Sequence, residues 1–248
     1  MLTTKILLPL ALSMATIILR PTNGFSIISS SPILGIGALL LKPRNKIISS
    51  EGDDDILINS ARCFTDAFWN GKTGGVKELS SSQTKTLTKQ QIAEFRRRYG
   101  MKMSTTANRR AELVVCQNQS SGEVMGCAGI EVSKISTPNG ISVPLAAPLM
   151  SNLAVGKKFR RRGLAEDLVK AAEELARKEW GYDECFLYVE KKNVAAMKLY
   201  KKLGYVKQWE DDSAKTLIPT DRGSIVSAPT TIVCMKKKLG GGLFGRFL

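Results

Sequence analysis

Between residues 149 and 205 the chain swings twice between two hydrophobic rhythms. Residues 149–155 form a short apolar run, the length and character of a buried strand. From Leu164 the apolar positions then return every three or four residues: Leu164, Leu168, Ala172, Leu175 and Ala176 share one face. Glu166, Lys170, Glu173, Glu174 and Arg177 fall elsewhere. This predicts a helix that stops near Trp180-Gly181, with glycine as terminator. Residues 185–189 read as a second buried strand, and Asn193 as the N-cap of a second helix. Ala195, Ala196, Leu199, Tyr200 and Leu203 form the apolar face of that helix, and Gly204 takes the C′ position. Strand, helix, strand, helix predicts a right-handed crossover between parallel strands. Both helix starts then lie near the carboxyl ends of the strands, where α/β sheets bind ligands.

The same patterning extends less strongly on either side. Residues 61–69 and 88–99 read as helices, the second with a candidate capping box of Thr88 and Gln91 and with Gly100 as its stop. Residues 112–116 and 124–133 read as antiparallel strands joined through Gln119-Ser120-Ser121-Gly122. Residues 71–86 are polar and read as a loop. Residues 205–209 and 230–237 read as the last strands, with residues 210–229 as a long loop between them. No internal repeat is present.

The loop before the first helix carries the chemistry. Arg160, Arg161 and Arg162 precede Gly163, Leu164, Ala165 and Glu166. A strand, a loop and a helix start aim free N–H groups and the positive end of a helix dipole at an anion. Glycine at 163 admits close backbone approach. Taken alone, this short pattern is equally compatible with a solvated surface loop. The second helix adds Asn193, Ala196, Leu199, Tyr200, Leu203, Gly204 and Tyr205 at fixed spacing.

With both motifs in place, the sequence resembles the GNAT superfamily of N-acetyltransferases. Its cofactor motif is matched by Arg160-x-x-Gly163-x-Ala165, and its following helix motif at every named position from Asn193 to Tyr205. The resemblance is strongest over residues 149–209, and it is most like the plastid-type enzymes that acetylate protein amines. It implies an α/β (α+β) GNAT fold: a mixed sheet of about six to seven strands, about four flanking helices, and splayed parallel central strands. It implies acetyl-CoA as co-substrate and no metal. Leu153, Ala154 and Val155 would pair with the pantetheine arm, and residues 161–166, with Arg160, would cradle the pyrophosphate. Asn193, Val194 and Ala195 would lie beside the thioester, and Tyr200 would give a proton to the departing CoA thiolate. A thiol near pKa 8.5 facing a phenol near 10 makes a hydrogen bond or late proton transfer chemically reasonable.

The substrate amine is the nucleophile and must lose a proton. The chain has no histidine, so a histidine base is excluded. Met150, Ser151 and Asn152 occupy the segment where a central-strand glutamate would stand. Glu190, past the second strand, is the candidate base, or else a solvated strand-end charge.

Composition bears on the ends. The 248 residues are 43% hydrophobic, enough for one domain with a core. Residues 1–50 hold five of the 37 basic side chains and none of the 22 acids, so the remainder keeps +10 of the net +15. Residues 6–19 are apolar after Lys5, of signal-peptide length, and 25–50 are Ser-rich and basic with Phe25 at the junction. This resembles a bipartite plastid leader of algae with complex plastids; a mitochondrial or secretory route is the alternative. The expected organisation is a leader over 1–50 (signal-like 1–24, transit-like 25–50), the catalytic domain over 51–238 and a flexible basic tail over 239–248, with no stable span in the mature protein. Five cysteines without a Cys-x-x-Cys pair suit free thiols in a reducing compartment. The basic residues are spread and lack interleaved aromatics, so no specific nucleic acid is expected. Expected partners are protein or peptide amines, with the chain a monomer or weak dimer. Small-molecule amine transfer, or CoA or polyanion binding without chemistry, remain the alternatives.

Overall fold

A computed structural model describes residues 45–100, 110–136 and 142–240 of the chain. Nine strands and four α-helices follow one another as β1 (Asn45–Ser49), α1 (Asp54–Trp69), α2 (Ser81–Tyr99), β2 (Ala111–Asn118), β3 (Val124–Ser136), β4 (Ser142–Val155), α3 (Leu164–Glu174), β5 (Glu184–Glu190), α4 (Val194–Lys202), β6 (Val206–Asp211), β7 (Lys215–Pro219), β8 (Ile225–Pro229) and β9 (Ile232–Lys238). Seven strands form one mixed sheet in the order β1-β2-β3-β4-β5-β9-β6, and β7 and β8 form a separate hairpin. The β4–β5 pair is parallel and its other neighbours antiparallel, so α3 makes the predicted crossover.

Alternation along β2 explains why both faces of the sheet are covered. Leu113 and Val115 join Leu57, Phe64 and Phe95 of α1 and α2 in one core. Val114 and Cys116 point the other way, into a second core with Leu164, Leu168, Ala172, Tyr200 and Leu203 of α3 and α4. A strand's period of two puts neighbours on opposite faces, so a strand buried on both faces is apolar throughout its middle. Cys116, Cys127, Cys185 and Cys234 are buried free thiols, and Cys63 is half-buried.

Several elements depart from the sequence expectation. Asn45–Ser49, inside the segment assigned to the leader, is β1 and pairs antiparallel with β2. Strand structure therefore reaches back to Asn45, before the boundary expected at 51; residues 1–44 and 241–248 lie outside the described residues. Helix α1 begins at Asp54 because the Asp53 carboxylate accepts from Ile56 N. Helix α2 begins at Ser81, where Ser80 and Gln83 form the capping box assigned to Thr88 and Gln91. The same Ser/Thr-x-x-Gln pattern occurs twice, and only the first stands at a helix start. Strand β4 starts at Ser142, and residues 210–229 fold into the β7–β8 hairpin instead of a loop. Ala195 is exposed; the packed face of α4 is Ala196, Met197, Leu199, Tyr200 and Leu203.

Candidate active site

The site arises where β4 and β5 part. Their pairing is confined to Leu149 opposite Phe186 and Met150 opposite Leu187. Just past that point β4 bulges: Asn152 and Leu153 together face Ala128, because Cys127 pairs with Ala154 and Gly129 with Ser151. Asn152 takes a left-handed φ of +54°, as the extra residue of a bulge can, and the added twist turns the strand aside. The bulge is held from behind. Asn152 Nδ2 donates to the Tyr99 hydroxyl at 3.0 Å, and a Cβ on Gly129 would collide with that hydroxyl. Residues 151–155 are thus left without a β5 partner, and their free edge can pair with an extended ligand as an added strand.

Between the separated strands lies a cavity of about 180 Å³. Ser151, Asn152 and Leu153 line it from β4, Tyr188, Val189 and Glu190 from β5, and Asn193, Ala196 and Tyr200 at α4. Phe64 and Phe68 of α1, Lys72, and Lys215 and Thr216 of β7 close the opposite side. Four predicted residues, Leu153, Glu190, Asn193 and Tyr200, therefore meet in one cavity. Asn193 is spent on capping, accepting from Ala196 N at 3.2 Å. Val194 and Ala195 are exposed beside it. The chain leaves α4 through a tight C-terminal motif, with Tyr205 N donating to Tyr200 O and Gly204 at φ +90°. Burial, assisted by nearby Cys185, pushes the Tyr200 phenol well above its ordinary pKa. It stays protonated at neutral pH, a hydrogen-bond donor rather than a ready acid.

The segment expected to cradle an anion lies at the start of α3. Arg161 at φ +63° and Gly163 at φ +82° fold the backbone so that the helix begins without a side-chain cap. Intrahelical bonding starts with Glu166 N and Asp167 N donating to Gly163 O. The preceding amides are left to an outside acceptor, the arrangement that suits a phosphate. The arginines divide their work. Arg160 Nε donates to Val155 O at 3.1 Å and its Nη2 to Ala67 O at 2.8 Å, bracing the loop against α1. Arg162 lies over the Phe159 ring at 5.8 Å. Leu164 is buried in the core, Ala165 half-buried. The Glu166 carboxylate accepts from Lys202 at 2.7 Å, which ties α3 to α4, and from Lys170 one turn on in α3 at 2.9 Å.

Glu190 proves to be engaged rather than solvated. Its carboxylate lies 3.0 Å from Lys72 Nζ and accepts from Thr216 Oγ1 at 2.8 Å and Thr230 Oγ1 at 3.3 Å. Burial raises its pKa, but the Lys72 charge and these bonds outweigh it and hold the group below its ordinary value. A carboxylate so occupied is a poor resting base. A second buried cluster underlies the cavity: Arg98 binds Glu94 at 2.6 Å and Glu131 at 3.3 Å, and donates to Ser151 Oγ at 3.4 Å. Sequence reasoning missed Lys72, Arg98, Glu131 and Thr216. Lys72 stands in a glycine-rich stretch without periodicity, and Arg98 in an arginine run that reads as surface. The Glu94–Arg98 spacing of four was the one available signal.

A sequence profile described as the acetyltransferase (GNAT) family matches residues 77–205. Among curated proteins, GCN5-related N-acetyltransferase 7, chloroplastic, of Arabidopsis thaliana is 35% identical over 68 residues, 27% of this chain and 24% of that protein. GCN5-related N-acetyltransferase 4, chloroplastic, of the same plant is 45% identical over 56 residues, 23% and 19% respectively. The matches thus span about a quarter or less of those relatives' length. In structure, the ribosomal-protein-S18-alanine N-acetyltransferase of Escherichia coli superposes with a TM-score of 0.50 at 18% identity, over 82% of this chain and 99% of that one. An N-acetyltransferase of Staphylococcus aureus Mu50 gives 0.51 at 17% identity, over 79% and 99%. At such identity the superpositions speak to the fold alone. The profile match, running from the approach to α2 through the split strands to the end of α4, carries the assignment: this chain belongs to the acetyltransferase (GNAT) family.

Proposed function

We propose that the protein is an acetyl-CoA-dependent N-acetyltransferase whose acceptors are protein amines, either α-amino termini or lysine side chains, and that it works in a plastid. One observation carries the reading: the unpaired edge of β4 leads from the uncapped start of α3 into the cavity that holds Tyr200. An extended pantetheine suits that edge, and a pyrophosphate suits the helix start. The family match and the chloroplastic relatives support the chemistry and the compartment. A cavity of about 180 Å³ seats the tip of an amine beside a thioester, which leaves the bulk of an acceptor outside and favours a flexible protein segment.

In this reading the residues act as follows. The backbone of Leu153, Ala154 and Val155 aligns the pantetheine arm, and backbone N–H at the bulge receives the oxyanion that forms when the amine attacks. The amides of residues 161–165 bind the pyrophosphate, with Arg161 and Arg162 adding charge at its rim. Tyr200 donates a hydrogen bond to the departing thiolate; its raised pKa makes full proton transfer uphill, so the proton follows late. Glu190 positions Lys72 and Thr216 and relays a proton only while that network is open.

The test is labelled acetyl-CoA incubated with the full-length chain and peptides bearing free or blocked N-termini. Acetylated peptides, sorted by α- or ε-amine, are expected. Tight acetyl-CoA binding with no transfer to any peptide overturns the protein-amine reading.

A further inference from the structure

Lys72 follows the last turn of α1, and its side chain is only 7% exposed. It lines the same cavity as Asn152, Leu153 and Tyr200. Its ammonium lies 3.0 Å from Glu190 Oε1 and donates to Thr216 Oγ1 at 2.7 Å. The ring centres of Phe68 and Trp69 stand 4.5 and 4.9 Å away. A carboxylate, a hydroxyl and two aromatic faces make a cage for an ammonium, and the chain's own lysine fills it. Burial lowers the Lys72 pKa, against the pull of Glu190, so deprotonation costs less here than at an exposed lysine. Gly71 and Gly74, both at positive φ, flank it and leave the backbone room to adjust.

We propose that Lys72 is a self-acetylation site, the acceptor that the protein carries inside its own cavity. The proposal rests on the acetyltransferase reading above. One ammonium proton leaves through Glu190 to solvent. The freed Nζ lone pair attacks the thioester carbonyl carbon of acetyl-CoA; the N–C bond forms and the C–S bond breaks. A second nitrogen proton is released as the amide forms, and the CoA sulfur ends protonated. The product amide carries no charge, so among the described residues Glu190 keeps only Lys192, at 3.9 Å, as an ion-pair partner. The charged tie from Lys72 to β5 and β7 is then lost, leaving the backbone bond from Val76 N to Pro219 O at 3.0 Å to hold the connection to β7, and self-acetylation loosens that wall of the cavity.

The test incubates the full-length chain with isotopically labelled acetyl-CoA and a free peptide amine. Acetylation is then read at every lysine by digestion and mass spectrometry. Uncatalysed transfer from a thioester favours exposed lysines such as Lys85 and Lys89. The expected result is labelling of Lys72 at least about tenfold faster than at those positions, with a rate constant independent of protein concentration. Tyr200→Phe should slow this labelling and the peptide reaction together. Labelled peptide with unlabelled Lys72 overturns this proposal alone. No transfer to either one overturns it together with the acetyltransferase reading. Equal labelling of buried and exposed lysines, or a rate that grows with protein concentration, also overturns it.

Discussion

The two flanks of the β4–β5 split are made of different materials. On the flank proposed for the cofactor the groups open to a ligand are backbone: the free edge of residues 151–155 and the uncapped amides before α3. They lie within sixteen consecutive residues, from Ser151 to Glu166. On the flank proposed for the acceptor the cavity is lined by buried and half-buried side chains: Lys72, Arg98, Glu131, Glu190 and Thr216, each from a different part of the chain. A backbone site needs only a short motif to set its dihedrals, and one fold can keep it while acceptors change. A side-chain site must be assembled by the tertiary structure, and it carries the desolvation cost of every charge in it. Substitutions on the two flanks should therefore fail differently: the acceptor flank through stability, the cofactor flank through affinity.

The largest effect is expected from Arg98→Leu. The Arg98 side chain is 3% exposed and those of Glu94 and Glu131 are 5% and 7%. Leucine would take this cation from the buried Glu131 carboxylate, while Glu94 keeps Arg97 at 2.7 Å. Removing one partner of a buried ion pair costs about 3–5 kcal/mol, so urea unfolding should shift by that amount while acetyl-CoA affinity of the folded fraction stays near wild type. A loss below about 1 kcal/mol would mean that water reaches this cluster.

Gly163→Ala tests the opposite flank. At φ +82° an alanine costs about 1–2 kcal/mol, yet its Cβ would meet nothing nearer than Asp167 Oδ2 at 4.0 Å. The free protein therefore tolerates it sterically, and the larger loss should be in ligand binding. Acetyl-CoA Kd is expected to rise about tenfold, a change of about 1.4 kcal/mol, by calorimetric titration. An unchanged Kd would remove the helix start from the cofactor site.

Tyr200→Phe probes the point where the flanks meet. Turnover should fall by about tenfold with Kd for acetyl-CoA unchanged, the signature of an interaction formed only in the transition state. Undiminished turnover would reduce Tyr200 to a core aromatic, packed edge-on against Tyr205 at 5.8 Å.

The same contrast explains what could be read from the chain in advance. The crossover of β4, α3, β5 and α4 and the cradle around Gly163 were legible because periodicity, caps and glycine positions are local. The meeting of Leu153, Asn193 and Tyr200 followed from the parallel topology. The partners of Glu190 were not legible, since Lys72 and Thr216 reach it across 118 and 26 residues with no local signal. β1 was hidden because Asn45–Ser49 is a five-residue edge strand in a basic, Ser-rich stretch, and only its pairing with β2 identifies it. The capping box of α2 was misplaced by a repeated pattern, which only the observed helix start at Ser81 arbitrates.

The smallest effect should come from Glu166, where a side-chain ion pair decorates the backbone flank. Hydrogen bonds from Lys202 and then Lys170 hold its carboxyl down, from the ordinary 4.5 to about 2. A folded-state pKa below the unfolded value adds stability above the unfolded value, and that stability is lost as pH falls from about 4.5 toward 2. The group faces solvent, so screening keeps the contribution slight. Glu166→Gln should lower Tm a little at neutral pH in dilute buffer. The difference should vanish near pH 2, and also in about 1 M salt, where the Debye length is about 3 Å. Acetyl-CoA Kd is the sharper readout, because it separates the two materials at one residue. If Glu166 only ties α3 to α4, Kd holds constant while Tm moves. If Kd moves with Tm, the cofactor flank relies on this side chain as well as on its backbone.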